Sequence, residues 1–95
     1  MKKLLLATAA AALTAGAAGA EEIKLGVLIG FTGPIESLTP SMAAAAELAA
    51  KEISDSGKLL GGSTVTMIRA DSTCTDAAVA QSAAEKLVTG DGVKG

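Results

Sequence analysis

Residues Ile23 to Gly30 read Ile-Lys-Leu-Gly-Val-Leu-Ile-Gly, a nearly continuous apolar run bounded by loop residues. A strand with one wet face would alternate, so this run predicts a strand covered on both faces, as in a parallel sheet packed between helices. Such a strand needs helical crossovers on both sides and a neighbour at each edge. The residues that follow supply the first crossover. Phe31 to Leu38 contains Gly33-Pro34 and reads as a loop. Thr39 is the expected cap of a helix with Pro40 at its first position, where the missing N–H costs nothing. Met42, Ala45, Ala46, Ala49 and Ile53 fall on the expected apolar face, with Glu47 and Lys51 paired four apart on the other, and Asp55-Ser56-Gly57 stops the helix.

A second unit repeats the pattern. Gly61-Gly62 opens a strand over Ser63 to Ala70, with Thr64, Thr66 and Ile68 on one side and Val65 and Met67 on the other, a more exposed strand than the first. Met42 and Met67 are expected to fill the core. The polar turn Asp71-Ser72-Thr73-Cys74-Thr75-Asp76 follows, in which Asp71 is expected to cap its own turn. A helix from about Asp76 to Val88 has Ala80, Ala83, Ala84, Leu87 and Val88 as its apolar stripe and Gly90 as its left-handed cap. After the turn at Asp91-Gly92, Val93-Lys94 read as the first residues of a third strand. The fold class is therefore α/β, a parallel sheet with flanking helices. Because the apolar first strand needs a second neighbour, residues beyond Gly95 are expected to complete the third strand, and 21–95 to be the first, incomplete part of a larger lobe.

Composition narrows the chemistry. The chain of 95 residues has no His, one Cys and one aromatic residue, Phe31. Such a set builds no zinc site, haem ligation, Ser-His-Asp triad or Cys-His pair, and no catalytic residue, metal or cofactor is expected. The charges are dispersed and slightly acidic, 8 Lys+Arg against 10 Asp+Glu, without the basic stripe or stacking aromatics that nucleic acid requires.

The first twenty residues read as an address. Met1-Lys2-Lys3 is a basic start, Leu4 to Ala15 an uncharged run, and Ala18-Gly19-Ala20 places small residues where a signal peptidase reads. Residues 1–20 are thus expected to be a secretory leader cut between Ala20 and Glu21. An uncleaved anchor is the competing reading, but the run is short and its second half is mostly Ala and Gly, weakly apolar for a membrane span. Without Lys2 and Lys3 the remaining six basic residues face ten acidic ones, a net charge of −4 over 75 residues. The processed protein is expected outside the cytoplasm, with no stable membrane insertion.

The ordered set of features resembles the start of a periplasmic solute-binding protein of the leucine/isoleucine/valine-binding branch of ABC importer components. The features are the basic leader, the strand Ile23 to Gly30, Thr32-Gly33-Pro34 in its loop, an Ala-rich helix ending near Ile53, Gly61-Gly62, a strand ending at Asp71, and Cys74 before a helix ending Lys86-Leu87-Val88. The resemblance covers the whole chain, about the first quarter of such a protein. It implies two α/β lobes that close on an amino acid or a related small carboxylate or amide, and an ABC permease in the inner membrane as partner. Carried onto this chain, it makes the loop after the first strand ligand-facing, with Thr32, Gly33, Ser37 and Leu38 as candidates. In amino-acid-binding relatives an aromatic residue covers the ligand where Leu38 stands here. It further implies that Cys74 pairs with a cysteine just beyond Gly95; on the residues alone, Cys74 is equally a small core residue or an exposed thiol in a polar turn.

Other readings compete. Thr32-Gly33-Pro34 serves equally as a plain turn out of the sheet, and Glu36 either faces a ligand ammonium or is simply solvated. A sensor of the same fold, reporting to a membrane receptor, has the same first 95 residues; a permease or kinase gene beside it would separate the two. A dinucleotide enzyme is suggested only by Gly26, Gly30 and Gly33. Their spacing departs from the usual fingerprint, and the acid Asp71 lies 38 residues past Gly33 where about 20 is required.

Overall fold

The computed structural model describes residues 19–95. The leader expected over Met1 to Ala20 lies outside the described residues except for its last two. Strand β1 (Glu22–Ile29) leads through a loop to helix α1 (Thr39–Asp55), and strand β2 (Thr64–Asp71) to helix α2 (Ala77–Glu85), which runs on into a π-helical segment, Lys86–Asp91. β1 and β2 are parallel, in register from Glu22 beside Thr64 to Ile29 beside Asp71.

Alternation along the strands assigns the two faces. Ile23, Leu25, Val27 and Ile29 share a side with Val65, Met67 and Arg69, and α1 lies on it. Leu25, Val65 and Met67 line an apolar cleft with Ala46, Ala49, Ala50 and Ile53. On the opposite side the Leu87 side chain sits so close over Gly26 that a Cβ there would come within 2.9 Å of it. A glycine inside a strand marks such an approach, and Leu87 is 5% exposed.

The sheet has two strands, β1 and β2, and no third strand forms among the described residues, but the end of the chain returns to β1 where the sequence places a third strand. The Lys94 N–H donates to the Lys24 carbonyl at 2.7 Å, and the Gly26 N–H donates to the Gly95 carbonyl at 2.8 Å. The chain therefore returns along the edge of β1 away from β2, running in the same direction. β1 thus has β2 on one side and the returning end of the chain on the other.

Several local expectations are corrected. α1 is entered one residue early: Leu38 occupies the capping position without a side-chain bond, and Thr39 is inside the helix and fully buried, its hydroxyl donating to the Glu36 carbonyl at 3.5 Å. The buried stripe of α1 is Thr39, Ala43 and Ala50, and Met42 is 55% exposed rather than core. In a run of four alanines, Ala43 to Ala46, no residue marks the inward face, so the sequence leaves the phase of the helix open. Glu47 does not pair with Lys51. It reaches across to β2 and takes the Arg69 guanidinium as a fork, Nε at 2.5 Å and Nη2 at 3.0 Å, while Lys51 pairs with Asp55. Planar guanidinium and carboxylate match two bonds to two oxygens, a geometry that lysine lacks. The C-terminal cap of the second helical stretch is Gly92, at φ 72°, not Gly90, because the π-helical turn carries the helix two residues further, and Val88 is exposed.

Candidate functional site

The carboxyl ends of both strands feed loops that meet. The first loop leaves β1 at Gly30 and is folded into tight turns by hydrogen bonds from Glu36 N–H to the Gly33 carbonyl (3.2 Å) and from Leu38 N–H to the Ile35 carbonyl (3.0 Å). The second, Ser72 to Asp76, is shorter. Asp76 caps α2, accepting from the N–H groups of Ala78 (2.9 Å) and Val79 (3.2 Å), the bonds a helix start otherwise lacks.

Asp71, the last residue of β2, joins the two loops. Its Oδ1 accepts from the backbone N–H groups of Phe31 (2.9 Å), Thr32 (3.2 Å) and Thr73 (2.9 Å), and its Oδ2 accepts from the Thr32 hydroxyl at 2.6 Å. The Thr73 bond is the expected cap of its own turn; the three bonds to the first loop are not foreseen from sequence. The Thr32 hydroxyl foremost, and then the backbone donors, hold the Asp71 carboxyl below the usual aspartate range, because each bond favours the charged form.

Packing reinforces the junction. Gly33 has φ 97°, a conformation that side chains resist, and a Cβ there would lie 2.7 Å from the Thr73 carbonyl oxygen. A Cβ on Gly30 would strike the Cys74 sulfur at 2.7 Å. Thr73 and Cys74 are themselves left-handed, at φ 57° and 60°, and the Thr73 hydroxyl is a buried atom with no hydrogen-bond partner. Two consecutive non-glycine residues in that region cost of order 1–3 kcal/mol each and persist only where the surroundings impose them. Below the first loop, the Arg69 guanidinium lies 5.4 Å from the centre of the Phe31 ring, a cation over the negative face of the aromatic, so the Glu47 fork also steadies the start of the loop.

Of the residues singled out from sequence, Thr32 and Gly33 stand at the junction. Ser37 and Leu38 are exposed at the far end of the loop, Leu38 by 60%, where the chain enters α1. Glu36 is exposed. Cys74 is an exposed thiol, with Ser72, Thr75, Asp76, Ala77 and Ala80 lining a cleft beside it. The cross-loop roles of Asp71 and Thr73 were missed. Their only signal is the register that sets Ile29 beside Asp71, which no local pattern encodes.

Helices on both faces of a parallel sheet, with loops gathered at the carboxyl ends of its strands and the chain returning along the other edge of β1, are the start of an α/β ligand-binding lobe, because open sheets of this kind leave their crevice at the strand ends. The sequence pattern of the periplasmic binding proteins matches residues 22–95, and the chain belongs to that family. It is 35% identical over 96 residues to proteins named Leu/Ile/Val-binding protein homolog 7 from Brucella abortus (strain 2308), Brucella suis biovar 1 (strain 1330) and Brucella melitensis biotype 1. In each case the whole of this chain is covered and 23% of the relative, so the chain spans about a quarter of the length of these proteins. No solved structure matches it. No helix among the described residues is long and apolar enough to cross a membrane.

Proposed function

We propose that this chain forms the start of the first lobe of an extracytoplasmic solute-binding component of an ABC importer, which captures an amino acid of the branched-chain type or a related small carboxylate or amide and passes it to a permease. The observation that carries this reading is the pair of loops joined at the carboxyl end of β1 and β2, in a chain related to proteins named for binding leucine, isoleucine and valine. The role is capture and not catalysis.

Residues 1–20 act as the cleaved leader, with Glu21 as the first residue of the periplasmic protein. Thr32, Gly33, Ser37 and Leu38 form the ligand-facing surface. A hydroxyl has one hydrogen to donate and two lone pairs; the Thr32 hydrogen is committed to Asp71, so Thr32 offers a ligand an acceptor, suited to an ammonium or amide N–H. Ser37 adds a free-standing hydroxyl and Gly33 lets backbone approach closely. Leu38 excludes water without the stacking that an aromatic lid would give. Cys74, exposed beside Gly30, forms a disulfide with a cysteine beyond Gly95, closing a loop of some 25 residues worth roughly 3 kcal/mol; a thiol titration of the native full-length gene product that finds Cys74 free rejects the disulfide.

The test of function is a thermal-shift screen of the full-length gene product against amino acids and small carboxylates. A true ligand at 100 times its dissociation constant adds about 2.7 kcal/mol to stability and raises the melting temperature. Silence across the whole panel overturns the reading.

A further inference from the structure

An aspartate that only caps its own turn needs one donor, and the Thr73 N–H at 2.9 Å supplies it. The bonds from Phe31 N–H, Thr32 N–H and the Thr32 hydroxyl span 39 or 40 residues of sequence and do nothing for the second loop. They fix the first. In return, Gly33 packs on the Thr73 carbonyl, so each loop is a wall of the other. The carboxylate also sets the polarity of Thr32. An ionised carboxylate has no hydrogen to give, so the hydroxyl must donate to it and keep its lone pairs for another partner.

We propose that Asp71 is a positioning residue of the binding rim: it ties the loop after β1 to the loop after β2 and holds the Thr32 hydroxyl as an acceptor toward the ligand. This rests on the solute-binding reading above. The same bonds favour the anionic form of the Asp71 carboxyl, the form the arrangement requires. The Arg69 guanidinium over the Phe31 ring, held in turn by Glu47, braces the same loop from the α1 side.

Asparagine at position 71 keeps one acceptor oxygen but presents an NH2 group where the second stood. With the oxygen left to the backbone donors, the NH2 group faces Thr32, whose hydroxyl then accepts from it and turns its own hydrogen outward. Calorimetry with L-leucine on the full-length gene product tests this. Asp71→Asn and Thr32→Val each weaken binding by about tenfold, the scale of one lost hydrogen bond. The double variant is no weaker than Thr32→Val alone, because Asp71 acts through Thr32, and Thr32→Ser retains the wild-type affinity. Additive losses in the double variant overturn the proposal. Amide hydrogen exchange without ligand supplies an arm independent of the solute: in Asp71→Ala, Phe31, Thr32 and Thr73 lose protection together while β1 and β2 keep theirs. Unchanged protection at Phe31 and Thr32 overturns the tie. If the wild type fails to bind L-leucine, the branched-chain reading falls, and the exchange result alone upholds or overturns the tie.

Discussion

The two strand-to-helix units place a helix against the same sheet by different means. α1 approaches on small residues, with Ala43 fully buried and Ala50 nearly so, and follows a loop shaped by its own Gly30, Gly33 and Pro34. α2 is anchored by the one large side chain at its end, Leu87 over Gly26. Its loop lacks glycine, yet adopts left-handed backbone at Thr73 and Cys74. The first loop carries its turns in its own glycines and proline and is anchored by Asp71, whereas the left-handed backbone of the second is held by the Asp71 bond to Thr73 and by packing against the first loop. A loop of the first kind is legible in sequence, and one of the second kind becomes so only when its neighbour is known.

The largest effect expected from breaking this contrast is at Leu87. Leu87→Ala removes the anchor of α2 and costs about 2–4 kcal/mol, as large-to-small changes at buried sites do; Ala43→Gly on α1 costs about 1 kcal/mol, mostly through helix propensity. Urea midpoints of the full-length gene product measure both. Equal losses would mean that α2 does not depend on its single large contact.

A smaller effect separates the loops themselves. Gly33→Ala forces a side chain into φ 97° and onto the Thr73 carbonyl, and costs about 2 kcal/mol. Thr73→Gly relieves a left-handed β-branched residue and removes a buried hydroxyl without a partner, so stability stays level or rises by up to about 1 kcal/mol. A clear loss in Thr73→Gly, measured by the same denaturation, would show that the second loop holds its own shape.

The smallest effect is on the pH profile. The folded Asp71 carboxyl titrates below its unfolded value because its hydrogen bonds favour the anion. Its contribution to stability is therefore fully present above the unfolded value and is lost as pH falls through the lower, folded one. Melting temperatures followed from neutral pH into that acid range drop less steeply in Asp71→Asn than in wild type. Parallel curves would show that the carboxylate contributes nothing through its charge.

The sequence by itself determined the order of elements, both strands to within a residue, the start of the second helix beside Asp76, the return of the chain at Lys94 and the lobe to which these belong. Each is written in local chemistry: apolar runs with the period of their element, Gly and Pro at turns, a side-chain oxygen before a helix. Other features were decided only by tertiary structure. The inward face of α1 lies within a run of alanines that carries no phase. Glu47 chose Arg69 over its neighbour Lys51 because the sheet brings a forked donor within reach. Asp71 serves Thr32 as well as Thr73 because parallel pairing sets Ile29 beside it, so that Phe31 and Thr32, just past Gly30, pass over its carboxylate. Register is a property of two strands together, and the residues of either one do not contain it.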